Sequence, residues 1–486
     1  MTARRPAALA GALAFALAGP LVPAGAQETA GRLNFAPGGA SVGAPIVANA
    51  RGLAPNARFV LVWRSADPHW WTDAGKFYGI LAPETARVLA RGTSDAAGTL
   101  ALRFFVPEDF GYIHDVEVRP ENAPADAEPA ATQGFTVVPH IALSPRSGAP
   151  GTPVTVTATG LGYRFYQVVW HLLYDGAQTG WLSAVTTHGT ARITLPASGE
   201  IGVHTLQAIE GPTAPYLNGQ NSPNAQRYIP QVIAGTFRIT PGRAQTPPRA
   251  SAQTPPRARP NAVAVAAAPA LTIDYASGAV GNPISLHGNG FAPQAAITLT
   301  WETYVGNRLS GNGWSTEEHP LAQATAGANG EFALRFPTPD DLGGPHRVIA
   351  RANGAEAAAA YTIVPSVAEI VPHTVAPGGA YTVHVKGVGW TETANTYTMV
   401  LDNGDIGYAC GFNSQGDVTI RLRAPGRAGT HYVDLYPTIY TGQINGPGAP
   451  PAGASVNGIY FLLPMLNAID HPGERLPAFH LAFEVR

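Results

Sequence analysis

Apolar and polar residues alternate along much of this chain with a period of two. That spacing sets one face of a β-strand against a core and the other in water. Val154-Thr155-Val156-Thr157, Ile284-Ser285-Leu286-His287 and Val383-His384-Val385-Lys386 show it. So do Leu100, Leu102 and Phe104, and again Phe332, Leu334 and Phe336, each set preceded by a glycine, Gly98 or Gly330. The dipeptides Asp175-Gly176 and Asn403-Gly404 sit between apolar runs and predict hairpin turns. Similar strands recur at intervals: Phe135 to Val138, Phe237 to Thr240 and Tyr361 to Val364, each followed by proline. With 55 Gly and 45 Pro, the chain favours many short strands over long helices.

The pattern is also duplicated. Pro145 to His204 matches Pro372 to His431 without a gap, including Pro150/Pro377, Gly160/Gly387, Asp175/Asp402, Gly189/Gly416 and His204/His431. A second pair interleaves with the first. Gly43, Gly52 and Trp63 return as Gly281, Gly290 and Trp301; after a six-residue deletion, Asp109, Gly111 and His114 return as Asp341, Gly343 and His346. The order is A, B, A′, B′, and such repeats are read before the fold. About seven short strands in roughly 100 residues, with an aromatic at the third-strand position (Trp63, Trp170, Trp301, Tyr397), predict an immunoglobulin-like sandwich. The expected fold is all-β: four tandem immunoglobulin-like β-sandwich modules. Module A is placed at 27–139, B at 140–241, A′ at 271–365 and B′ at 366–486, with a long insertion in B′ at 436–480.

Residues 1–26 have the form of an export signal: Arg4 and Arg5, an apolar run from Ala7 to Leu21, then Ala24-Gly25-Ala26. The segment is short and broken by Pro20 and Pro23, so no transmembrane anchor is expected. The expected location is secreted, periplasmic or at the cell surface. Cys410 is the single cysteine, which excludes an internal disulfide and leaves stability to apolar burial. Charged residues are 13% of the chain and the net charge is −2, with no basic run, so a nucleic-acid partner is not expected. A Pro-rich linker at 242–270 repeats Ala244 to Ala250 as Ala252 to Ala258. Extended, it would hold two stiff arms, A–B and A′–B′, up to roughly 90 Å apart.

Module B opens Leu143-Ser144-Pro145-Arg146-Ser147-Gly148-Ala149-Pro150-Gly151-Thr152-Pro153-Val154-Thr155-Val156 and reaches Gly160-Leu161-Gly162. This run resembles the start of bacterial immunoglobulin-like modules of the IPT/TIG type. The likeness covers about twenty residues of B and weakens in the other modules, where Val371-Pro372 replaces Ser-Pro. It implies a β-sandwich in an exported, often surface-associated protein, and it implies no activity.

Duplication filters the chemistry, because residues that recur in every module serve the fold. His114, His204, His346 and His431 each follow a glycine by two or three positions, with no carboxylate or second histidine recurring at ligand spacing. They are expected to be half-buried rings capping a turn, not metal ligands or bases. Gly39-Ala40-Ser41-Val42-Gly43 matches a nucleophile elbow, but Pro45 and a strand follow where a helix is required. Gly160-Leu161-Gly162 lacks the third glycine of a dinucleotide loop. Glu108-Asp109 and Asp340-Asp341 read as solvated turns, too few oxygens for calcium, and Glu317-Glu318-His319 falls short as a metal site for the same reason. No catalytic residue, cofactor or metal is expected.

Unrepeated features remain. Asp67-Pro68-His69-Trp70-Trp71-Thr72-Asp73 has no equal in A′, and Trp70 and Trp71 are candidates for stacking on sugar rings or anchoring a partner. Against this stands a role plugging the sandwich edge or the A–B joint. The B modules carry long segments with Tyr216 and Tyr440, also ligand-binding candidates, set against flaps packed over the sandwich. The sequence therefore predicts an exported, non-catalytic binding or structural protein, engaging envelope polysaccharide or a surface protein. The alternatives are an exported carbohydrate-active hydrolase with its site between modules, or a passive spacer.

Overall fold

The structure is a computed structural model that describes residues 31–73, 75–124, 126–163, 169–211, 232–246, 269–307, 313–441, 461–473 and 475–486. Residues 1–26, most of the linker and Tyr216 lie outside the described residues.

The strands form four sandwiches. In A, a three-stranded sheet of Arg32–Phe35, Pro45–Arg51 and Leu100–Phe105 faces a five-stranded sheet. The larger sheet runs Gly39–Ala40, Ala131–Val137, Tyr112–Pro120, Arg58–Ala66, Glu84–Thr93. The same strand order is repeated in B, A′ and B′, with one extra strand in B′, Phe461–Pro464. Alternation fills each core: Leu100, Leu102 and Phe104 point inward while Ala101, Arg103 and Phe105 are exposed. The third-strand aromatics Trp63, Trp170, Trp301 and Tyr397 are all buried. Each module encloses its own core of 20-odd or fewer aliphatic and aromatic side chains. No helix among the described residues is long and apolar enough to cross a membrane.

Local chemistry sets the turns. Asp175 and Gly176 both adopt positive φ, as a two-residue hairpin turn requires. In B′ the turn falls on Asp402 and Asn403, with φ of 49° and 66°, one residue earlier than the Asn403-Gly404 expected; Gly404 begins the next strand. Module A differs from A′ by a bend. In A′ the ribbon Ala296–Asn307 and Gly313–Thr325 runs unbroken. In A the ladder stops at the Ala66–Glu84 pair and resumes as a second ribbon, His69–Asp73 with Lys76–Leu81. Pro68 and Pro83 occupy the gap, and proline has no N–H to donate to a ladder.

Two joints repeat. Gly111 N–H donates to Leu161 O at 3.1 Å, and Leu161 N–H to Gly189 O at 3.0 Å. In the second copy Gly343 N–H donates to Val388 O at 3.0 Å, and Val388 N–H to Gly416 O at 3.1 Å. A Cβ on Gly111 would lie 1.9 Å from Gly160 O, and one on Gly343 would lie 2.0 Å from Gly387 O. The repeated glycines thus let modules A and B, and A′ and B′, meet backbone to backbone.

The two halves are not held apart by the linker, as the sequence reading expected. Modules B and B′ pack on each other, with Val400, Tyr436, Leu466 and Ala478 joining the core of B. Asn403 Nδ2 donates to Pro196 O at 2.8 Å, and Thr179 Oγ1 donates to Asn403 O at 2.5 Å. Linker residue Gln245 sits in this contact: its N–H donates to Pro150 O, and its carbonyl accepts from Tyr432 OH. The 436–480 insertion also begins later than expected, because the strand Gly429–Thr441 continues through Tyr436. Its described part pairs with that strand through Phe461–Pro464 and then clasps B. Leu466 N–H donates to Trp181 O, Asn467 Nδ2 to Ser183 O, and the buried Asp470 carboxylate accepts from Val185 N–H, Thr186 N–H and Thr186 Oγ1. Burial raises the Asp470 carboxyl above its ordinary range.

Candidate functional site

The four repeated histidines are held the same way. His114 has Nδ1 at 2.9 Å from Arg64 O and Nε2 at 2.7 Å from Phe110 O. His346 repeats this with Glu302 O and Leu342 O. In the B modules a carboxylate takes one position: His204 Nδ1 lies 2.6 Å from Asp175 Oδ2, and His431 Nδ1 lies 2.5 Å from Asp402 Oδ2, with Glu200 O and Arg427 O on the Nε2 side. The rings are buried, not half-buried, and every ring nitrogen faces an acceptor. A carboxylate does recur, 29 residues upstream of each B-type histidine. The same Asp175 and Asp402 accept from Thr205 N–H and Tyr432 N–H, tying the hairpin turn to the next strand. The Asp402 contact raises the His431 pKa above its ordinary value against the lowering effect of burial.

Asp109 and Asp341 are likewise internal, not solvated turns. Asp109 accepts from Trp63 Nε1 at 2.9 Å, Ser65 Oγ at 2.8 Å and Phe110 N–H at 2.8 Å. Asp341 repeats the set with Trp301, Thr303 and Leu342. The His114 and His346 rings stack on those tryptophans at 4.4 and 4.8 Å. Glu318 is engaged by Arg351 and Thr300, and no group of three potential metal ligands occurs among the described residues.

The unrepeated residues behave differently. On the extra ribbon of A, Trp70, Phe77 and Ile80 pack against a core of Val169, Trp181, Val185, Ile439, Leu463 and Met465, drawn from both B and B′. Trp70 Nε1 donates to Asp470 O at 2.5 Å, and its ring meets Trp181 edge-on at 5.9 Å. At the ribbon tip, Phe77 N–H donates to Glu392 Oε2 and Gly75 O accepts from Glu392 N–H. Trp70 is therefore a fastener between the halves and not a free platform. Trp71 lies outside that core; its half-buried ring pairs with Tyr78 at 5.0 Å, and the neighbouring Gly79 faces open space. Tyr440, also half-buried, pairs with the exposed Tyr408 at 5.8 Å, and its N–H donates to Glu392 O. Glu392 thus links the ribbon tip to Tyr440. Tyr78, Tyr408 and Glu392 were missed from sequence. The flanking Pro68 and Pro83 were the signal that a separate ribbon stands there.

The A–B joint holds a second feature, a cavity of about 440 Å³ lined by residues of both modules, among them Ala66, Thr85, Arg87, Glu108, Thr187 and His188. Arg87 reaches Asp109 at 3.1 Å, and His188 lies 3.6 Å from Asp67.

No family model matches this chain, and no curated protein matches it. Among solved structures it is similar to a Salmonella alpha-2-macroglobulin at 12% identity, over 92% of this chain and 30% of that one, with a TM-score of 0.19. It is similar to invasin, a bacterial integrin-binding protein, at 11% identity over 84% of this chain and 76% of that one, TM-score 0.16. A fragment of the ICAM-5 D1–D4 ectodomain matches at 12% identity over 94% of this chain and all of its own, TM-score 0.18. The chain spans less than a third of the alpha-2-macroglobulin's length. Scores this low carry no weight, and the fold class rests on the strand pairing above.

Proposed function

We propose that the protein is an exported, non-catalytic binding element built from four immunoglobulin-like modules, of the IPT/TIG type suggested by Leu143 to Val156. Its partner is an envelope polysaccharide or a surface protein, engaged by the outward side of the ribbon that only module A carries. One observation supports this reading above the rest: the recurring imidazoles and carboxylates are spent on internal hydrogen bonds, whereas Trp71 and Tyr78 stand outside every core beside open space. Aromatic faces of this kind hold sugar rings or partner side chains. A hydrolase would instead need converging carboxylates or an activated nucleophile. Export is inferred from Arg4, Arg5 and the apolar run that ends at Leu21.

The test is a binding screen of residues 27–486 against glycans and envelope proteins. A ligand retained by the native protein and lost in Trp71→Ala with Tyr78→Ala, at unchanged melting temperature, supports the reading. If every ligand the native protein retains survives both substitutions, the ribbon is removed from the reading. Trp70→Ala is expected to loosen the joined halves, read as easier proteolysis between B and B′.

A further inference from the structure

The two joints share their glycines but not their filling. At A′–B′, Tyr304 stacks on Trp390 at 4.0 Å, and Gln415 Nε2 donates to Asp341 Oδ1 at 3.0 Å. The matching residues at A–B are Ala66, Tyr163 and His188. Alanine leaves empty the space a phenol ring fills in the sister joint. His188 makes its contact with Asp67 instead of closing over Asp109 as Gln415 does over Asp341. The result is the 440 Å³ cavity, within the range of small-ligand sites and placed at a module interface, where such sites gather.

We propose that this cavity is a second binding site, and that it takes a neutral saccharide unit. Of the charged groups along it, Arg87 is paired with Asp109, His188 lies 3.6 Å from Asp67, and Glu108 stands at the exposed rim. What remains is uncharged or shared hydrogen-bonding capacity. Thr85 and Thr187, both uncharged hydroxyl side chains, are among its lining residues. Arg87 spends one N–H on Asp109 and keeps the others of its planar fork. Closely spaced hydroxyl, guanidinium and carboxylate groups complement the vicinal hydroxyls of a sugar, which both donate and accept. An acidic ligand would find the guanidinium of Arg87 already paired with Asp109.

The experiment uses the full chain on an array of neutral oligosaccharides of hexoses and N-acetylhexosamines, with acidic oligosaccharides and basic peptides alongside. Retention of a neutral saccharide is expected. It is expected to be lost in Ala66→Tyr with His188→Gln, which installs the filling of the sister joint. Thr85→Val with Thr187→Val removes only the hydroxyls and keeps volume, so it is expected to lose binding without loss of fold. Trp71→Ala with Tyr78→Ala is expected to keep it, which separates this site from the ribbon. An array that retains no neutral saccharide, retains only charged probes, or shows native-level retention by either groove variant overturns the proposal.

Discussion

The A–B and A′–B′ joints are built on one plan and finished in two ways. Both bring a glycine N–H of the first module onto a carbonyl of the second, and both bury a tryptophan–aspartate pair just inside. The second is then sealed by aromatic packing: Leu342, Trp390 and Phe412 form a small core of their own, with Tyr304 and Trp314 against it. The first has Tyr163 packed edge-on against Phe110 at 4.7 Å, and leaves a cavity beside it. Shared residues hold the modules at a fixed approach, and the unshared ones decide whether the seam is closed or open.

The largest expected effect breaks the closed seam. Trp390→Ala removes a 7% exposed ring that stacks on Tyr304 and meets Trp314 at 4.7 Å, and should cost about 3–5 kcal/mol. Tyr163→Ala, its counterpart, removes a ring that is only half-buried and should cost about 1 kcal/mol. Chemical-denaturation midpoints of the full chain read both. Equal losses would mean that the two seams are sealed alike.

A second prediction contrasts the B modules across pH. His171, in the first, is 1% exposed, and burial holds its pKa down to about 4. The unfolded ring titrates near 6.5, so between roughly pH 6.5 and 4 the unfolded chain binds the extra proton. Stability contributed here is complete above pH 6.5 and falls on acidification, by up to about 3 kcal/mol near pH 4. Thr398 stands at this position in B′, and His171→Thr should flatten the acid limb. His431 in B′ has the opposite sign. Its raised pKa gives stability that is complete below about pH 6.5 and is lost as pH rises through the folded value. Melting temperatures from pH 4 to 8 for His171→Thr and His431→Gln should therefore diverge in opposite directions.

The sandwiches were legible because alternation and turn residues act locally. Val156 or Leu102 shows its face from its neighbours alone. The contact between B and B′ was not read, although a trace of it exists. Trp170–Tyr174 is buried at all five positions, and Thr396–Leu401 at all but its last, where a strand with one wet face would alternate. Continuous burial says that something covers the outer face without saying what. The aspartates were misread for a related reason: Asp109 beside exposed Glu108 looks like any acidic turn, and only the strand register brings Trp63 Nε1 to it. Trp70 and Trp71 were singled out correctly as unrepeated, but neighbours on a strand point to opposite sides. One became a fastener, and the other pairs with Tyr78 outside that core.

The last effect tests what the joints share. Gly111→Ala and Gly343→Ala each place a Cβ against a carbonyl oxygen, at 1.9 and 2.0 Å, where backbone on both sides leaves no flexible side chain to give way. Relief comes from separation of the modules at the N–H···O contact to Leu161 or Val388, or from strain within the sandwiches, at a cost of about 1–3 kcal/mol in each joint. The closed seam has aromatic packing to resist that separation and the open seam has little. The cost in stability should therefore be similar, while the response should differ. Hydrogen exchange at the amide of position 111, which donates to Leu161 O across the joint, should quicken in Gly111→Ala, as A and B part. In Gly343→Ala, exchange at the amide of position 343, which donates to Val388 O, should stay slow, because Trp390 and Tyr304 keep the modules in place and the strain is taken up within each sandwich. Equal exchange at both amides would show that the glycine contacts alone fix the geometry, and that the filling of a seam has no part in holding it shut.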